Sequence, residues 1–245
     1  MFLALLFLAA LWAGIQNALA GGGSFLTLPA LMLTGMDARA ANITSTIALF
    51  PGQVATGMTG RGQASDAADL SFKSLVAISL VGGAIGAVIL LITPSGIFAR
   101  LVPWLVLFAT AVFAWGSFGP RERAQPRIGK AGAAVAQFLI SVYGGYFGGG
   151  IGFLMLAALC ATGQAVKAAG ATKNVLAAVM NASAVAVFLF SPSVHWLQAG
   201  IACAGAVLGG IAGGLVLTRI NENVLRVLVV VIGLVLTVAL FVKAP

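Results

Sequence analysis

The chain has 245 residues, of which 61% are hydrophobic and 7% charged, and its formal net charge is +8. A soluble domain carries roughly 25% charged residues, so a water-covered globular surface is excluded. The 13 basic residues are scattered through short loops between apolar runs. That distribution sets orientation in a membrane and excludes a nucleic-acid partner.

The first apolar run, Met1–Ala20, ends in Ala18-Leu19-Ala20 in the manner of a cleaved leader. It lacks a basic leading region, and a similar segment recurs at Ala131–Phe147, so it is read as a retained first helix. Gly21-Gly22-Gly23 breaks the chain before a short run, Phe25–Thr34. Longer runs follow at Ala38–Met58, Leu70–Ile92 and Ile97–Phe118. A charged, proline-punctuated stretch, Gly119–Lys130, divides the chain. Beyond it come Lys130–Phe147, the triplet Gly148-Gly149-Gly150, the short run Ile151–Thr162, and then Val166–Phe190, His195–Leu217 and Val224–Val242. A bilayer core is crossed by about 20 helical residues. The runs are continuously apolar, whereas barrel strands alternate, so they are helices. The expected fold is an all-α, polytopic membrane bundle with about eight full spans and two short, broken or re-entrant helices.

The two halves repeat each other. Gly35, followed by Arg39-Ala40-Ala41-Asn42-Ile43-Thr44, matches Gly163, followed by Lys167-Ala168-Ala169-Gly170-Ala171-Thr172, at a constant offset of 128. Each half reads as helix, glycine break, short helix, long helix, helix, helix. Residues 1–118 form the first transmembrane repeat, 119–130 a charged cytoplasmic linker and 131–245 the second repeat. Counting the short helices as crossings and placing the linker inside leaves only Arg39, Arg100 and Lys243 outside. The positive-inside rule then favours an inverted second repeat, the plan of many secondary transporters. Whether the short helices cross or re-enter is open at this point.

The glycine-triplet turns, Pro29, the Arg39–Thr46 frame and its partner Lys167–Asn174 together resemble the TauE/SafE family of sulfite and organosulfonate exporters. The resemblance covers nearly the whole chain and is sharpest over Gly14–Met58 and Gly144–Phe190. It implies a permease for sulfite, a sulfonate such as sulfoacetate or a related small anion, in a cell inner membrane. The second repeat departs from the first at Ala157, where Pro29 would align, and at Lys173, where Ser45 would.

Polar residues inside apolar helices are costly and point to function. Asn42, Thr46 and Gln53 fall on one helical face, and their repeat equivalents are Gly170, Asn174 and Asn181. These stripes could supply donors to an oxyanion, or hydrogen bonds between helices. Lys173, flanked by Thr172 and Asn174, places a cation in an apolar helix. Arg39 and Lys167 occupy equivalent positions, as anion-attracting charges or as snorkelling helix ends. Gly22, Gly23 and Ser24, and likewise Gly149 and Gly150, open the short helices, whose first N–H groups suit an anion.

Asp37, Asp66, Asp69, Glu122 and Glu222 all fall in loops or at helix ends, and His195 is the single histidine. No paired set for membrane-embedded catalysis is evident, and no GxxxxGK[ST] nucleotide loop is present. Cys160 and Cys203 lie apart, without metal-ligand spacing. The expected protein is therefore a carrier without cofactor or metal whose partners are a small anion and the lipid bilayer. A channel-like pore of the same fold and a membrane scaffold are the alternatives. Small-residue faces at Gly82-Gly83-x-x-Gly86 and Gly209-Gly210-x-x-Gly213-Gly214 allow close helix contact, within the chain or in a homo-oligomer.

Overall fold

The computed structural model describes residues 2–19, 23–118, 128–216 and 222–243. Ten α-helices run in the order α1 (Phe2–Leu19), α2 (Ser24–Met32), α3 (Ala38–Gly60), α4 (Phe72–Ile92), α5 (Ser95–Phe118), α6 (Lys130–Tyr146), α7 (Ile151–Ala161), α8 (Val166–Phe188), α9 (Trp196–Val216) and α10 (Glu222–Lys243). Among the described residues the one extended pairing is a lone bridge between Ala67 and Leu70. Helices α4, α5 and α8 are long and apolar enough to cross a membrane, and the described parts of α1, α7, α9 and α10 are shorter apolar helices. Ile92, Trp115 and Phe190 are 74%, 69% and 90% exposed, which water would penalise and lipid would not.

Local signals set the ends of these helices. Asp37 is the N-cap of α3, its carboxylate accepting from the backbone N–H groups of Arg39 and Ala40. Ser71 caps α4 by accepting from Ser74 N. The short helices end alike, because Gly35 and Gly163 take φ of 95° and 91°, the left-handed stop that glycine alone adopts without strain. The glycine of the repeated frame is therefore a helix terminator.

The helix pairings match when the halves are exchanged. Helix α1 lies along α9, and α6 lies along α4; α4 meets α8, and α9 meets α3. Helices α3 and α8 pack on each other, as do α5 and α10, while α2 sits between α1 and α3 as α7 sits between α6 and α8. Helices α3 and α8 are antiparallel. Thr44, near the start of α3, accepts from His195 N, beyond the end of α8. Thr172, near the start of α8, accepts from Ser65 N, beyond the end of α3.

Glycine makes the tightest contacts. A Cβ on Gly209 would fall on the Leu11 carbonyl, and one on Gly86 on the Val142 carbonyl. Gly83 approaches Met180 of α8 in the same way. These members of the small-residue faces are thus used inside the chain. Between α4 and α6 lies a buried polar knot, in which Gln137 Nε2 donates to Ser79 Oγ (2.8 Å) and to Ser141 Oγ (3.3 Å). Gln137→Leu is expected to lower stability by about 1 kcal/mol, the scale of polar contacts in membrane bundles. A reduced thermal unfolding midpoint in detergent checks this.

Candidate substrate site

Each short helix is entered through a glycine turn braced from the preceding helix. In the first repeat Gly23 is the N-cap of α2, and its N–H donates to Asn17 Oδ1 (2.8 Å). In the second repeat the Tyr143 hydroxyl donates to the Gly149 carbonyl (2.9 Å). Gly150, with φ of 73°, caps α7 and packs on Ala109 of α5. Ser24 opens α2 half-buried, and Gly22 lies outside the described residues.

The long helices reach these turns through repeat-equivalent residues. The Ser45 and Thr27 hydroxyls lie 2.6 Å apart, tying α3 to the first turn of α2. Lys173, the counterpart of Ser45, extends to the first turn of α7, with Nζ 3.7 Å from the place a Cβ would take on Gly152. Lys173 is half-buried, and it makes no hydrogen bond or ion pair with any described residue. An ammonium beside the N-terminal turn of a helix sits at the positive end of the helix dipole. Two like-signed features in one place create a site that an anion would relieve.

The remaining candidates lie along α3 and α8. Asn42 is buried and donates through Nδ2 to the Tyr146 carbonyl (3.1 Å), at the end of α6 just before the second glycine turn. Thr46 returns its hydroxyl to the Asn42 carbonyl (2.9 Å). Gln53 holds its side-chain oxygen buried, without a donor among the described residues. On α8, Gly170 faces open space, Asn174 is half-buried and unpaired among the described residues, and buried Asn181 donates to the Ala177 carbonyl (3.1 Å). Thr172 is fully buried in its bond to Ser65.

The basic pair falls apart from this set. Arg39 donates through Nη1 to the Leu91 (3.2 Å) and Thr93 (2.9 Å) carbonyls, closing the end of α4. Lys167 is exposed at the start of α8. Among the described residues no group of three or more His, Cys, Asp or Glu side chains is placed to hold a metal.

Sequence reasoning passed over Thr27, Ser45, Thr44, Gln164 and the bracing residues Asn17 and Tyr143. A signal existed for two of them. Thr44 and Thr172 share the terminal position of the repeated frame, and Ser45 is the repeat mate of Lys173.

The family profile described as "Sulfite exporter TauE/SafE" matches residues 6–240. The chain is 28% identical over 240 residues to a "Probable membrane transporter protein" of Haemophilus influenzae, covering 96% of this chain and 92% of that one. It is 26% identical over 243 residues to "Probable membrane transporter protein YfcA" of Escherichia coli K12, covering 98% and 90%. It is 27% identical over 245 residues to "Probable membrane transporter protein ORF9" of a Sinorhizobium species, covering 97% and 92%. No solved structure matches the chain significantly.

Proposed function

The chain belongs to the TauE/SafE family of membrane transporters, and from that premise we propose that it is a secondary carrier for a small sulfur oxyanion or organosulfonate. The observation that carries the reading is the Lys173 amine at the first turn of α7, which makes no hydrogen bond or ion pair among the described residues. Sulfite and sulfoacetate each present a compact anionic group that one ammonium and a few N–H donors can hold. The antiparallel packing of α3 on α8, which are equivalent elements of the two repeats, supports an inverted arrangement. In that arrangement one repeat rocks against the other around a central site. The protein then works as a multi-pass component of a cell inner membrane, with Arg61, Lys73 and Lys130 on the inner face.

Proteoliposomes test the proposal. Wild-type protein is expected to give saturable sulfite or sulfoacetate uptake that is accelerated by the same anion trapped on the far side. Asn181→Ala is expected to slow it about tenfold, the scale of one lost hydrogen bond, about 1.4 kcal/mol. Flux that neither saturates nor shows exchange acceleration indicates a pore, and absence of flux for both anions from well-folded protein refutes the substrate class.

A further inference from the structure

Helices α4 and α6 run parallel, with Gly82 against Phe138 and Ser141, and Gly86 against Val142 and Tyr146. Their C-terminal ends therefore approach the same face of the bundle, and between them lies an open cavity of about 270 Å³. Ile89 of α4 lines it with Leu139, Val142, Tyr143 and Tyr146 of α6. Ile89 and Leu139 are 39% and 61% exposed, so the groove opens on the lipid side. Its floor is held from behind by α5. Phe108 meets Tyr143 edge-on, with ring centroids 5.6 Å apart, and Phe98 meets Tyr146 likewise at 5.5 Å.

The walls decide what fits. They are aliphatic and aromatic, and no charged side chain among the described residues lines them, so a small anion would lose its hydration there without a partner. Water would find too few polar groups. At about 270 Å³ the cavity is smaller than pockets that enclose whole drug-sized molecules, roughly 300–1,000 Å³, and it suits a segment of hydrocarbon chain.

A cation stands at the rim. Arg39 donates through Nη1 to the Leu91 and Thr93 carbonyls, and Ile89 lies two residues before Leu91, about 3 Å along the helix axis. One turn further along α3, Asn42 holds the Tyr146 carbonyl. The start of α3 thus clasps both walls of the groove. Closing the end of α4 employs Nη1 alone. Nε is buried without an acceptor, and no other guanidinium N–H has a partner among the described residues. A guanidinium carries five donors in a fork that matches phosphate, so most of this one is unused. The Tyr146 hydroxyl is also without a partner among the described residues.

We propose that the groove between the C-terminal ends of α4 and α6 binds one acyl chain of an anionic phospholipid, with the lipid phosphate on the Arg39 guanidinium. Packing of the chain on the tyrosine rings and a charge-assisted contact to the phosphate select this lipid from the surrounding bilayer. The lipid also reaches the second glycine turn, because the Tyr143 hydroxyl holds the Gly149 carbonyl (2.9 Å). Occupancy steadies the entry to α7, whichever anion the protein carries.

The probe is phosphatidylglycerol with a diazirine in mid-chain, present in phosphatidylcholine nanodiscs that hold the wild-type protein. Photolysis is expected to concentrate adducts on the groove residues, in excess over Leu101 and Trp104, which are exposed near the same end of α5. Unlabelled phosphatidylglycerol is expected to compete about fivefold better than phosphatidylcholine, the scale of one basic residue at an anionic lipid surface. Arg39→Gln is expected to erase that preference. Val142→Phe narrows the groove and is expected to remove its adducts while sparing those on α5. Should Arg39→Gln elute aggregated, high salt on wild-type protein screens the same contact, and Leu139→Trp replaces Val142→Phe on the same ground. Adducts spread evenly over the groove and α5 overturn the site. Equal competition by the two lipids overturns the phosphate contact, and cross-links between two chains without lipid adducts show that a second copy covers this face instead.

Discussion

Gly86→Val and Gly209→Val are each expected to cost about 3–5 kcal/mol and to leave little monodisperse protein after detergent extraction. The Cβ of each would coincide with a main-chain carbonyl of the facing helix, Val142 for Gly86 and Leu11 for Gly209. A clash with a flexible side chain is relieved by rotation, but here a whole helix must retreat. Retreat forfeits the dispersion contacts along α4–α6 or α1–α9, the two most extensive helix pairings among the described residues. Inside a bilayer no hydrophobic force compensates, because lipid is as apolar as leucine and packing itself holds helices together. The loss is a large fraction of a total stability of roughly 5–15 kcal/mol. Gly96→Ala and Gly200→Ala supply the contrast. Both glycines are helical and exposed with nothing near the added carbon, so these changes are expected to be neutral or to stabilise by up to about 1 kcal/mol through helix propensity. Size-exclusion profiles and thermal unfolding of the four variants separate the two outcomes. Equal behaviour of the clashing and open pairs would sink the packing argument.

Much of the scaffold is legible in the sequence because its causes are local. Continuous apolar runs give the helices to within a few residues: the run Ala38–Met58 became Ala38–Gly60, and Ile151–Thr162 became Ile151–Ala161. The offset of 128 is equally physical in origin. Gly35 and Gly163 are kept because each ends a short helix in a left-handed turn. Thr44 and Thr172 are kept because each receives a backbone N–H from the connection that follows the other repeat's long helix. Which helix lies on which was not legible, since α1–α9 and α4–α6 join residues far apart in the chain and leave no local periodicity.

The site was legible in part, for the same reason. Lys173 stands out in the sequence because a cation in an apolar helix has no local excuse. Its neighbour on α7, Gly152, does not stand out among 32 glycines. Arg39 gives the opposite lesson. Its position at the repeat offset made it equivalent to Lys167, yet its guanidinium closes the last carbonyls of α4 while Lys167 projects outward. Equivalent positions in a repeat share a backbone, and their partners are set by whichever helix end the fold brings alongside. Gln164 carried no signal at all, because its repeat mate is an apolar methionine and its three acceptors belong to a distant loop.

Lys173→Gln is expected to raise the half-saturating anion concentration about 10- to 100-fold while leaving the fold intact. Unit charges 4 Å apart interact by about 4 kcal/mol at an effective dielectric constant near 20. Partial hydration of a half-buried group reduces that to roughly 1.4–2.8 kcal/mol, which is the stated range in affinity. The fold survives because the amine makes no hydrogen bond or ion pair with a described residue, so its removal orphans nothing there. Lys173→Arg retains a permanent positive charge and is expected to keep most of the affinity, whereas Lys173→Glu reverses the field and is expected to abolish uptake. The first repeat supplies the internal control. Ser45, the equivalent of Lys173, is committed to Thr27 at 2.6 Å, so Ser45→Ala is expected to lower stability by about 1 kcal/mol with little change in half-saturation. The two repeats then divide the labour at equivalent positions, one fastening its short helix to its long helix and the other presenting a charge there. Flux measured at graded sulfite concentrations reads the difference directly: a Lys173→Gln protein that saturates like wild type places the anion elsewhere, and a rise confined to Lys173 places it at the first turn of α7.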